Sequence, residues 1–148
     1  SFVKANPFLR CGLVFAGANQ LSSLHASDFE SDGILTAEEI VGLDLSGTDL
    51  VVLSACQTAL GDIKAGEGVF GLTRAFELAG ARTVVSALWP VQDADAAELI
   101  PELISTDLPL TPEKVQAVLL DRIHQLRIHD LSSHPYYWAP FIVSGRWY

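Results

Sequence analysis

Asp49–Asp62 reads DLVVLSACQTALGD. A largely apolar run, Leu50 to Ala55, ends at Cys56, and a loop of small and polar residues follows. The run shows no polar alternation, as in a strand covered on both faces. A cysteine closing such a strand has two readings. It is a nucleophile at the rim of a sheet, or a buried thiol that only packs.

The flanking segments supply the rest of a sheet and its helices. CGLVFAGAN, Cys11 to Asn19, reads as a short strand running into a turn, and the acidic stretch Leu21 to Gly33 as a loop. Thr36 followed by Glu39 is a capping box, so TAEEIVGL predicts a short helix. GDIKAGEG is a loop carrying Gly61, Gly66 and Gly68. Val69, Leu72 and Phe76 recur at helical spacing, and Gly80 is a helix stop. ARTVVSALW is another buried strand. DADAAELIPELI predicts a helix kinked or broken at Pro101. Thr111 as cap, Pro112 at the first position and Glu113 in the first turn open a further helix. Its apolar face carries Val115, Val118, Leu119, Ile123 and Leu126. APFIVSG is the last strand. Strands alternating with helices predict an α/β domain, with a mainly parallel central sheet flanked by helices on both faces. No linker or repeat divides residues 1–148, which read as a single domain.

Composition narrows the function. The 148 residues are 49% hydrophobic and carry a formal net charge of −9. That charge disfavours nonspecific binding to nucleic acid or to an acidic membrane surface. It favours basic peptides, or simply solvates the surface. Two cysteines, Cys11 and Cys56, make neither a disulfide framework nor a metal-ligand spacing. They suit the reducing cytoplasm. No apolar stretch reaches the length of a membrane span.

In an open parallel sheet, ligands bind beyond the carboxyl ends of the strands. Cys56 falls at such an end, beside a glycine-containing loop. Its thiolate is the reactive form and needs a base or a positive field. Its own N–H is placed to help hold an oxyanion.

Five segments together resemble the CHAT family, caspase-like domains found beside tetratricopeptide repeats, mainly in bacteria. They are NPFLRCGLVFAGAN, DGILTAEEI, DLVVLSACQTALGD, GEGVFGLTRAFELAGARTVVSALWPVQD and HPYYWAPFIVSG. The resemblance implies a caspase-hemoglobinase-like fold of the clan shared with separase and gingipain. It implies a cysteine peptidase with a Cys–His dyad, in which Cys56 is the nucleophile. The family's histidine lies in an ATHG-like motif whose place precedes NPFLR. The chain thus reads as the C-terminal portion of the domain, and its expected partner is an N-terminal fragment of that domain carrying the histidine. A processed fragment, an incomplete chain and a pseudo-enzyme all fit this pattern. Protein substrates and tetratricopeptide repeats are the other expected partners.

The four histidines of this sequence serve the dyad poorly. His25 lies in the acidic loop, and His124 and His129 fall near a helix end that favours positive charge. His134 opens HPYYW. None follows a strand as the family's does, and His25 is the one alternative base.

LWPVQDADA is similar to a segment of separase in which an aspartate accepts a basic P1 side chain. By that similarity Asp93, and after it Asp95, are candidates for the floor of an S1 pocket, since a carboxylate pairs with guanidinium through two hydrogen bonds. Either residue would serve equally as a helix cap. Glu67 borders the site or sits favourably at a helix N-terminus. Trp89 either walls the pocket or belongs to the core. The glycines do not form a Walker motif. Asp28, Glu30, Asp32, Gly33 and Glu39 match positions of a calcium loop. The incoming segment NQLSSLHAS makes a poor helix, however, and the capping box accounts for Glu39 without metal. The expectation is no cofactor, with calcium as a weak alternative.

A noncatalytic interaction module on the same fold is the rival function. A glutamine amidotransferase-like hydrolase is a third, disfavoured by the long loop after Cys56 where those enzymes have a sharp elbow.

Overall fold

The computed structural model describes residues 7–16, 18, 33–53, 65–91, 93–105, 109–128 and 134–147. After a 3-10 turn at Pro7–Arg10 come β1 (Gly12–Val14), β2 (Ile34–Thr36), α1 (Ala37–Val41), β3 (Leu50–Leu53) and α2 (Ala65–Leu78). β4 (Thr83–Ala87), α3 (Asp93–Ile104), α4 (Pro112–Ile128), α5 (Pro135–Trp138) and β5 (Phe141–Gly145) follow.

The strands form two small sheets. β1 and β2 pair antiparallel, while the other sheet runs β3-β4-β5. β3 lies parallel to β4 with Leu53 opposite Ser86, and β5 lies antiparallel to β4 with Phe141 opposite Ala87. The fold class is mixed α/β. Of the three described ladders one is parallel and two are antiparallel.

β4 is the spine of the larger sheet, and all five of its residues are buried. Side chains alternate across a strand. Val84 therefore joins a cluster with Leu72, Ala75 and Phe76 of α2 and Ile40 of α1. Val85 joins another with Leu99 and Leu103 of α3 and Val115 and Leu119 of α4. Each fully buried branched side chain contributes about 1.5–3 kcal/mol. The two buried hydroxyls of β4 are satisfied on opposite faces. Thr83 Oγ1 donates to the Leu110 carbonyl at 2.8 Å, and Thr73 Oγ1 lies 3.3 Å from Ser86 Oγ.

The local signals of the helix starts are met. The Thr36 side chain accepts from the Glu39 N–H, and the Glu39 carboxylate accepts from the Thr36 N–H at 2.7 Å. Thr111 Oγ1 accepts from the Lys114 N–H at the head of α4. On α4, Val115 and Leu119 are buried and Val118 and Ile123 half-buried. Pro101 lies inside α3, which continues to Ile104.

Two expectations are corrected. α2 begins at Ala65, so Gly66 and Gly68 lie in its first turns rather than in a loop. They cost helix propensity, whereas Gly71 in the same helix is required by close packing. A Cβ added at Gly71 would stand 2.6 Å from Cys11 Sγ. No strand was expected between the acidic loop and α1, yet β2 lies there, reached through Gly33 at φ 72°.

Candidate active site at one rim of the sheet

Parallel pairing directs the carboxyl ends of β3 and β4 to the same rim. Antiparallel pairing brings the amino end of β5, and α5 just before it, to that rim as well. Three connections thus meet there: the one after Leu53, the one after Ala87 and the one before Phe141. Cys56 follows Leu53 by three residues but lies outside the described residues.

The connection after β4 is built around Trp89. Its indole is half-buried, and Nε1 donates to the Tyr136 carbonyl at 3.0 Å. The two rings stack with centroids 6.2 Å apart and an interplanar angle of 22°. The Tyr136 hydroxyl donates to the Pro90 carbonyl at 3.4 Å. Stacking and two hydrogen bonds thus clamp the Trp89–Pro90 segment to α5. Tyr136 received no role in the reading of the sequence, although HPYYW carries it; nothing local signals a partner 47 residues away.

α3 starts just beyond this clamp. Asp93 is its first residue and Asp95 its third, and a negative charge at this end is favoured by the exposed amides and dipole of the helix. Glu67 is the third residue of α2. The side chains of all three fall outside the description.

Of the histidines, His134 stands closest in sequence to the clamp, and its ring is committed. Nδ1 accepts from the Tyr136 N–H at 3.2 Å and caps α5. That bond needs an unprotonated Nδ1, so the neutral ring carries its proton on Nε2 and offers no second lone pair for a base. His124 is exposed on α4, while His25 and His129 lie outside the described residues.

Cys11 is a structural thiol. It is 2% exposed, its carbonyl accepts from the Ala37 N–H, and burial pushes the thiol above its ordinary pKa range. A protonated, enclosed thiol is inert.

Glu39, the last residue of the calcium-loop pattern, spends its carboxylate on Thr36, with Oε2 also accepting from Oγ1. Asp28, Glu30 and Asp32 lie outside the described residues. Among the described residues no three His, Cys, Asp or Glu side chains gather into a metal-binding group. No described helix is long and apolar enough to cross a membrane.

A model of the CHAT domain family matches residues 1–146. The chain is 38% identical over 128 residues to tetratricopeptide repeat protein 28 of Mus musculus and 34% identical over 135 residues to that of Homo sapiens. These alignments cover 81% and 83% of the chain but only 5% of either relative. Both relatives are mammalian, whereas the family was expected mainly in bacteria.

Proposed function

The chain belongs to the CHAT domain family, and from this we propose that it is the nucleophile-bearing portion of a caspase-like cysteine endopeptidase. The observation that carries the reading is the shared rim of parallel β3 and β4; in sequence Cys56 follows the first strand by three residues and Asp93 follows the second by six.

In this reading a histidine preceding NPFLR in the same domain is the base. It takes the Cys56 proton, and the thiolate attacks the scissile carbonyl carbon to form a C–S bond. The Cys56 N–H, with an N–H from the histidine segment, holds the oxyanion. As the C–N bond breaks, the histidine returns the proton to the leaving amine. Water, activated by the same histidine, then hydrolyses the thioester. Asp93, with Asp95 as second candidate, reads a basic P1 side chain. The larger part of the sheet is completed as a mainly parallel, helix-covered caspase-like core. The relatives are named for tetratricopeptide repeats, which suits a peptidase unit that receives its substrates through such repeats in the cytoplasm.

The test is a peptidase assay on a panel of Arg, Lys, Asp and Ala P1 peptides. The 148-residue chain is compared with a longer chain that includes the native upstream segment. The longer chain should be active, and Cys56→Ala should abolish that activity. The shorter chain should fall by about 10²–10⁴-fold, the usual contribution of general acid–base assistance. Full activity from the shorter chain would overturn the external base. Inactivity of the longer one would overturn the peptidase reading in favour of an interaction module.

A further inference from the structure

The opposite end of β4 carries a second feature. Thr83 faces Gly145 at the last ladder pair, and the Arg146 N–H donates to the Arg82 carbonyl at 3.1 Å. Arg82 and Arg146 therefore oppose each other one step beyond the ladder. Like charges directly opposite on paired strands are destabilising, yet two of the nine lysines and arginines of this acidic chain stand there.

Both arginines line one cleft of about 400 Å³, with Thr111, Glu113 and Trp147. Arg82 Nε is paired with Asp49 Oδ1 at 3.3 Å. Among the described residues Arg146 has no ion pair, and Glu113 pairs with neither arginine. The cleft thus brings one guanidinium without an ion pair among the described residues together with a second guanidinium, the Glu113 carboxylate, an indole and a hydroxyl.

We propose that this cleft binds an acidic side chain of a peptide segment, its carboxylate held by Arg146 and Arg82 and its neighbouring residues laid on Trp147. A carboxylate fits the fork of a guanidinium bidentately. Glu113 disfavours a dianion such as phosphate, because its own charge faces the same space. The indole rewards a peptide over a bare ion. The volume suits a segment of a few residues. The net charge of −9 repels acidic chains in general, so the cleft selects a segment that reaches this one position. The site lies at the amino end of β4, away from the rim where β3 and β4 end, and does not depend on the peptidase reading.

The test is fluorescence polarisation with a labelled N-acetyl tetraglutamate amide, against the tetraglutamine analogue and inorganic phosphate as competitor. The glutamate peptide should bind and the glutamine peptide should not. Arg146→Gln should weaken binding by about tenfold or more, the loss of one charge-assisted contact. Glu113→Gln should tighten it by a few-fold, and Cys56→Ala should leave it unchanged. Equal binding of both peptides, indifference to Arg146→Gln, or displacement by phosphate at the concentration of the glutamate peptide would each overturn the proposal.

Discussion

Trp89 Nε1 donates to the carbonyl of Tyr136 at 3.0 Å, and the two rings lie stacked on each other. One residue follows β4 and the other precedes β5, so the pair closes the rim from both sides. Trp89→Phe keeps the stack and deletes the donor. It should cost about 1 kcal/mol in urea unfolding, and a variant as stable as the native chain would show that the bond carries nothing.

Asp93 is the first residue of α3, where its charge is favoured by the helix dipole. Asp93→Asn should therefore lower the unfolding free energy by no more than about 0.3–1 kcal/mol. On the peptidase reading, in the longer chain it should lower kcat/KM for Arg and Lys P1 peptides by about thirtyfold or more, as expected for a buried charge pair losing one member. Peptides with Ala at P1 should be spared. If Asp95→Asn shows this pattern instead, the S1 role passes to Asp95.

Gly71 faces Cys11 Sγ across the first cluster. Gly71→Ala should destabilise the chain by about 1–3 kcal/mol through overpacking. The double variant with Cys11→Ala should recover part of that loss, because the clash is with the sulfur itself. Strict additivity in chemical denaturation would refute the contact.

The raised pKa of Cys11 has a pH signature. The folded chain holds this proton more tightly than the unfolded one. The contribution is therefore fully present below the ordinary thiol value of about 8.5 and is lost as pH rises through the higher folded value. Unfolding free energies measured from pH 7 to 10.5 should fall more steeply for the native chain than for Cys11→Ala. Iodoacetamide at pH 7.5 should modify Cys56 and leave Cys11 until the chain unfolds.

What the sequence disclosed was local. The Thr36–Glu39 box, the Thr111 cap and the apolar run of β4 each declare themselves within a few residues, and each is present. β2 escaped notice because three residues become a strand only by pairing with β1 across residues 19–32. The direction of β5 was equally hidden, since FIVSG reads the same whether it runs with β4 or against it. The start of α2 at Ala65 overrides the poor propensity of Gly66 and Gly68. Cys56 was legible as a candidate nucleophile only through the motifs around it.

The reversal of β5 also offers a practical handle. Its carboxyl end emerges beside Arg82, at the edge of the sheet remote from the carboxyl ends of β3 and β4. β4 spans five residues at about 3.3 Å each, which separates the two edges by roughly 15 Å. A dye or surface tether placed after that strand would hold the molecule with the opposite rim, where β3 and β4 end, facing the solution.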